Sequence, residues 1–225
     1  FLNLISLKKR YIGIESDTQL MIPKNIFKRI FKSIYLSIIF RNEYVIGFAG
    51  GSDTHMQLFS HYGMSENRIF LLPMMVDNNR YYNMNKNFPA TFTFLYVGRI
   101  ISSKNVDQIC KIFIERFSKK DAKLIIAGGG NKLDDLKSKF LCDKIHFIGP
   151  IFGVKLVELY HKSSVLLFPS TKEAWGLVVN EAMASALPVI AHQNVGSVHD
   201  LILKKDTGFI ICNWEDLESK MDLLY

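Results

Sequence analysis

From Thr91 to the end of the chain, short apolar runs alternate with segments of helical period, and this alternation constrains the fold more than any other feature of the sequence. "FTFLYVGRI" (92–100) is a compact apolar and aromatic run, and "NVDQICKIFIERF" (105–117) then sets Val106, Ile109, Ile112, Phe113 and Phe117 at helical spacing. The pattern repeats: "AKLIIAGGG" and "KLDDLKSKF", "KIHFIGP" and "VKLVELYHKS", "SVLLFPS" and "LVVNEAMASA", "LPVIAHQ" and "SVHDLIL", and finally "GFII". Strands that are apolar throughout and separated by single helices predict a parallel sheet covered on both faces, with right-handed crossovers. The expected class is α/β, a doubly wound Rossmann-like domain over 91–225.

Open parallel sheets bind ligands beyond the carboxyl ends of their strands. The loops there carry "GRIISSK" with Arg99 and Lys104, the run Gly128–Gly130, then Gly149 and Pro150, then "PSTKEAWG". Two cations, flexible backbone and a carboxylate are thereby expected at one rim, although Arg99 and Lys104 taken alone also fit an ordinary solvated loop. "KEAWGLVVNEAMASALPVI" (172–190) adds a second carboxylate, with Glu173 in the loop, Gly176 as the turn, a helix starting near Leu177 and Glu181 one turn inside it. Free N–H groups at a helix start form an anion site suited to phosphate. The plainer reading is that both carboxylates favour the helix dipole, worth about 0.3–1 kcal/mol each. It explains Glu173 better than Glu181, whose apolar neighbours Val178, Val179, Ala182 and Met183 make burial costly without a partner. A ribose diol is one such partner.

In order and spacing these segments, with "FLYVGRIISSKNVDQI", "IHFIGPI" and "VGSVHDLILKKDTGFII", resemble the donor-binding domain of retaining GT-B glycosyltransferases of the large family-four group, over about residues 44–225. The most specific element is E-x-W-G-L with a second Glu eight residues after the first. The resemblance implies that Arg99 and Lys104 grip the donor diphosphate, that Gly98 belongs to the same loop, and that the N–H groups of Gly176 and Leu177 meet a phosphate. It implies further that Glu181 binds the ribose, that Glu173 contacts the transferred sugar, and that the backbone of Gly149, Pro150 and Ile151 borders the nucleobase. By the same resemblance there is no metal and no cofactor beyond the donor itself, a UDP- or GDP-linked sugar, and the acceptor is a saccharide or lipid-linked. Ala186 departs from the family, which has Gly there; a helix end needing φ > 0 is expected at that residue.

The first 90 residues read as the end of an acceptor domain of the same Rossmann-like type, with a helix over 24–40, a strand in "EYVIGFAG", a helix over 52–62 capped by Ser52 or Asp53, a strand in "RIFLLPM" and a linker "VDNNRYYNMNKNFPA". His55 and His61 are expected at the surface or without partners. Since residue 1 is Phe and the family usually has more at both ends, a truncated chain is expected. Of the formal charge of +7, +5 falls within 1–90 and +2 within 91–225. Lys24, Lys28, Arg29 and Lys32 stand beside large apolar residues in the 24–40 helix, which suits an anionic membrane interface or, equally, an ordinary helix packed on the core. Scattered basic residues without a recognition motif argue against nucleic acid.

Cys110, Cys142 and Cys212 have no metal-like spacing, which with apolar neighbours predicts buried free thiols and a cytoplasmic location, peripheral to the membrane at most. Other functions compatible with the fold are a GT-B nucleotide-sugar epimerase and a non-catalytic nucleotide- or membrane-binding remnant. A dinucleotide oxidoreductase fits poorly, because "AGGGNKLDD" lacks G-x-G-x-x-G spacing and follows the second strand.

Overall fold

The computed structural model describes residues 10–51, 53–82, 89–202 and 207–225. It divides into two compact units, Phe1–Met74 and Met75–Tyr225. The described part of the expected linker, through Tyr82, therefore belongs with the second unit; Asn83 to Phe88 lie outside the described residues.

The first unit holds β1 (Ile12–Ser16), α1 (Ile26–Phe40), β2 (Val45–Ala49), α2 (Asp53–His61) and β3 (Ile69–Leu71), its strands parallel in the order β1-β2-β3. β1 was not anticipated: "IGIES" mixes Gly and Glu into a run of only five residues, and its pairing with β2 supplies what local pattern lacks. α1 starts at Ile26, two residues later than expected, because the Asn25 side chain caps it by accepting from the Lys28 N–H at 3.1 Å. Ser52, one of the two caps expected for α2, lies outside the described residues. Phe40, Val45, Leu58, Phe59, Tyr62, Met64 and Ile69 form a core of their own. His55 is fully buried on α2, which corrects the surface role expected for it, while His61 is exposed. Burial follows from α2 packing that side on β2 and β3.

α1 departs from an ordinary amphipathic helix. Of its residues only Phe40 is buried, whereas Phe27 and Phe31 are 79% and 73% exposed, and Ile30, Ile34, Tyr35 and Ile38 are exposed with them. Among the described residues, no helix is long and apolar enough to cross a membrane.

The second unit runs α3 (Asn78–Tyr81), β4 (Phe92–Val97), α4 (Val106–Phe117), β5 (Ala122–Ala127), α5 (Leu133–Lys139), β6 (Ile145–Gly149), α6 (Val154–His161), β7 (Val165–Phe168), α7 (Leu177–Ala184), β8 (Val189–His192), α8 (Val198–Leu201), β9 (Gly208–Ile211) and α9 (Trp214–Leu224). Its six strands are all parallel in the order β6-β5-β4-β7-β8-β9. Strand order runs outward from β4 in one direction and restarts from β7 in the other, which puts the topological switch point between them. The doubly wound α/β expectation is met. β7 and β8 are buried at every residue, and β4 at all but its first, as strands sandwiched between helical layers should be. α4 turns Val106, Ile109, Cys110, Ile112, Phe113 and Phe117 inward; Phe113 and Phe117 each meet Phe94 of β4. Full burial of each such side chain contributes about 1.5–3 kcal/mol.

α7 ends in a Schellman motif. Leu187 N–H bonds the Ala182 carbonyl at 2.9 Å, Ala186 N–H bonds that of Met183 at 3.0 Å, and Ala186 sits at φ 51°. The helix end thus takes the left-handed conformation expected at this position, on a residue carrying a Cβ. The thiols differ from expectation: Cys110 is buried, but Cys142 is half-buried and Cys212 exposed, since the loops preceding β6 and following β9 lie at the surface.

Candidate functional site

Beyond the carboxyl ends of β4, β5 and β6 opens a cavity of about 530 Å³, lined by Val97, Gly98, Arg99, Ala127, Gly128, Gly129, Pro150, Ile151, Phe152, Leu156, Val178 and Glu181. Its floor is largely backbone. Gly98 N–H bonds the Ala127 carbonyl at 3.0 Å, Gly128 N–H that of Gly149 at 2.9 Å, and Ile100 N–H that of Gly129 at 2.9 Å, so three loops are joined just past their strands. The join demands glycine: a Cβ on Gly128 would lie 1.8 Å from the Gly98 carbonyl oxygen. Phe152, 79% exposed, and Leu156 give the cavity an apolar side.

The β4–α4 loop is tied to the β7–α7 loop through Asn105. This residue takes the left-handed conformation (φ 51°), and its side-chain amide donates to the Pro169 carbonyl at 2.9 Å and to Thr171 Oγ1 at 3.2 Å. Thr171 N–H in turn bonds the Ser103 carbonyl at 3.0 Å. One consequence is that Lys104 meets Glu173 in a direct ion pair. Lys104 is 5% exposed, and its ammonium lies 5.0 Å from the Phe168 ring centroid. Burial, and secondly the like charge of Arg99, pull its pKa from 10.5 down to about 8. Contact with the Glu173 carboxylate acts in the opposite sense, so the ammonium is charged at neutral pH.

The loop holding Glu173 is braced on both sides. Trp175 is buried, its Nε1–H donating to Asn180 Oδ1 at 2.9 Å, while Ser197 N–H bonds the Trp175 carbonyl at 3.0 Å and Gly196 N–H that of Glu173 at 3.2 Å. Gly176 then caps α7 at φ 92°, with Phe168 and Val195 each 3.1 Å from where a Cβ would stand. Both steric room and backbone conformation restrict this turn to glycine.

Of the residues singled out in the sequence, Gly98, Arg99, Pro150, Ile151 and Glu181 line the cavity together. Gly149 ends β6 at φ 74°, Gly176 is the cap of α7, and Leu177 is its first residue, 37% exposed. Lys104 and Glu173 are not part of that lining; they pair with each other. Burial of Lys104 rules out for it the plainer alternative of an ordinary solvated loop, because the Asn105 tether draws the two loops together. Glu173 has this cation as its partner here.

Sequence reasoning also missed Tyr81 and Tyr160. The Tyr81 hydroxyl donates to one oxygen of Glu181 at 2.9 Å and the Tyr160 hydroxyl to the other at 2.7 Å. Burial, reinforced by the Glu181 carboxylate, pushes the Tyr81 phenol up to about 12 and also raises that of Tyr160. Tyr81 lies in a stretch that reads as linker, 100 residues from Glu181, and no local pattern connects them. Among the described residues no cluster of three or more His, Cys, Asp or Glu side chains is placed to hold a metal ion.

A family model described as "Glycosyl transferases group 1" matches residues 56–225. The chain belongs to this family. An uncharacterized glycosyltransferase of Methanocaldococcus jannaschii is 32% identical over 120 residues, 51% of this chain and 30% of that protein. The alpha-monoglucosyldiacylglycerol synthase of Streptococcus pneumoniae is 32% identical over 130 residues, 56% of this chain and 29% of that protein. The matches thus span under a third of these relatives' length. HepE of Anabaena, solved in complex with UDP and glucose, superimposes with a TM-score of 0.72 at 15% identity, covering 99% of this chain and 63% of that one. The likeness is one of fold, and the architecture of this group 1 chain is a partial GT-B glycosyltransferase.

Proposed function

We propose that this group 1 chain carries the donor half of a glycosyltransferase site, binding a UDP- or GDP-linked sugar and passing the sugar to a saccharide or lipid-linked acceptor with retention of configuration. The observation that carries this reading is the cavity beyond β4–β6, with its glycine floor, an apolar side and one carboxylate, Glu181, in its wall. A nucleoside needs a flat space against backbone and apolar surface, a ribose needs an acceptor for its diol, and a diphosphate needs fixed cations and N–H donors. In this assignment Gly149, Pro150 and Ile151 border the base and Glu181 takes the ribose. Arg99, Lys104, the loop beginning at Gly98 and the N–H groups of Gly176 and Leu177 face the diphosphate. Negative charge grows on the leaving phosphate as the glycosidic bond stretches, and preorganised cations stabilise it without a metal or added cofactor. Glu173 holds Lys104 in place and is the carboxylate assigned to the transferred sugar.

Relatives support the substrate class: one is an alpha-monoglucosyldiacylglycerol synthase, another a capsular polysaccharide biosynthesis glycosyltransferase of Staphylococcus aureus. Cell-surface glycolipid or polysaccharide synthesis on the cytoplasmic side of the membrane is the setting we assign. α1 supports contact with an anionic bilayer: Lys28 and Arg29 adjoin Phe27, Ile30 and Phe31, all exposed. Vesicles containing anionic lipid should retain the chain at low salt and release it as salt rises, whereas equal retention by neutral vesicles would refute this contact.

Calorimetric titration with UDP, GDP and their sugar conjugates tests the main reading. Saturable binding of one base class, reduced tenfold or more by Glu181→Ala, is the expected result, at about 1.4 kcal/mol per tenfold. Equal binding by the variant would remove Glu181 from the site. Product anomeric configuration by NMR tests retention, and unchanged turnover in chelator tests metal independence. Interconversion of the donor without acceptor would instead mark an epimerase.

A further inference from the structure

Glu181 stands in the cavity wall, but neither of its tyrosine partners does. Tyr160, fully buried on α6, and Tyr81, the last residue of α3, reach the carboxylate from outside the cavity. Their rings meet edge to face with centroids 6.1 Å apart, and His161 Nε2 sits 2.6 Å from the Tyr81 carbonyl oxygen, so the two rings brace each other and the Tyr81 main chain is held as well. An ionised carboxylate has about four lone-pair sites on two oxygens, and a phenol facing it can act only as donor. With one site on each oxygen taken by a tyrosine, one acceptor site per oxygen is left over.

We propose that Tyr81 and Tyr160 are positioning residues that fix the Glu181 carboxylate as a two-point acceptor for a vicinal diol. Two leftover sites on adjacent oxygens match two neighbouring hydroxyl donors, the arrangement a ribose presents at its 2′ and 3′ positions. Locking the carboxylate beforehand removes the entropy cost of ordering it on binding, and gain of that kind goes to the ligand able to use both oxygens. A single hydroxyl gains less. The inference rests on the reading of the cavity as a nucleotide site.

An opposing effect gives the test its sign. Hydroxyl donors also withdraw charge from a carboxylate; if that were their main action, removing them would strengthen its bond to the diol and sharpen discrimination. Affinities of UDP and GDP are measured against their 2′-deoxy forms on the unaltered chain, Tyr81→Phe and Tyr160→Phe. Phenylalanine keeps the ring in the core, and Tyr81→Phe carries the test should Tyr160→Phe fold poorly. The expected result is a preference for the ribose form of about tenfold in the unaltered chain, in line with a charge-assisted hydrogen bond. It should fall to about threefold or less in each variant while affinity for the 2′-deoxy form stays within about twofold, a pattern that general loosening of the site does not produce. Undiminished or increased preference in the variants overturns the positioning role alone. No preference in the unaltered chain overturns this inference and detaches Glu181 from the ribose while the nucleotide reading stands; no binding of either nucleotide overturns both.

Discussion

The two carboxylates of "KEAWGLVVNE" sit eight residues apart and are held in opposite ways. Glu173 is locked by a charge, the buried ammonium of Lys104; Glu181 is locked by two neutral hydroxyls. An ion pair of this kind depends on pH and on both partners remaining charged, and removing one partner leaves the other costly to bury. A clamp of phenols leaves the carboxylate's charge unspent for a ligand. Under the proposed function, one corner would respond to an incoming diphosphate and the other would recognise a fixed hydroxyl pattern.

Breaking the charged corner should have the largest effect. Lys104→Ala is expected to lower transferase turnover about a hundred- to thousandfold, or about 2.7–4 kcal/mol, if Lys104 meets the leaving diphosphate. Steady-state kinetics of the variant, with acceptor saturating, reads this directly, and a loss below tenfold would detach Lys104 from the chemistry. Next comes the hydroxyl corner. Glu181→Ala leaves the buried Tyr160 hydroxyl and the Tyr81 hydroxyl without their acceptor, which should cost about 1–3 kcal/mol of stability by chemical denaturation. Should the variant unfold at the same denaturant concentration as the parent, the clamp would be a surface contact without energetic weight.

The contrast also has a pH signature. Lys104's pKa lies near 8 in the folded chain against its ordinary 10.5, so the unfolded chain holds more protons between those values and stability attributable to this group rises from about pH 8 to 10.5. If the diphosphate meets this ammonium as proposed, its binding should move oppositely, flat below pH 7 and weakening by up to about tenfold per pH unit above 8. The ribose-over-deoxyribose preference, governed by the other corner, should stay level over the same range. Smallest of all is a change that touches neither corner: Ala186→Gly relieves a left-handed residue at the end of α7 and should be neutral or stabilising by up to about 1 kcal/mol. A clear drop in melting temperature would refute that account of the helix end.

The layered sheet was legible because its signal is local and repeated: β4, β7 and β8 are buried strands and read as unbroken apolar runs, and α4 places five large apolar residues at helical spacing. Gly176 and Ala186 were legible too, since a turn between strand and helix and a helix end each demand a particular backbone conformation. β1 was not, because a short half-exposed strand exists through its neighbour. Nor was the Lys104–Glu173 pairing, 69 residues apart, which depends on a side-chain amide tethering two loops. α1 shows a different limit: its apolar residues fit a core-packed face and a membrane interface equally, Phe27 and Phe31 are exposed, and periodicity alone does not say what a stripe faces.

The glycine seam under the cavity bears on how such a site can diversify. Where Gly98, Gly128 and Gly129 meet, the surface offered to a ligand is main chain, and a Cβ at Gly128 collides at 1.8 Å with a neighbouring carbonyl. Mutation therefore has little vocabulary at Gly98 and Gly128, both at positive φ, and more at Gly129, where a Cβ would reach only the Pro150 ring at 3.5 Å. Novelty in what this cavity accepts arises mainly from its flanks, at exposed Phe152 or at Leu156, where side chains can be exchanged one at a time without tearing the seam beneath them.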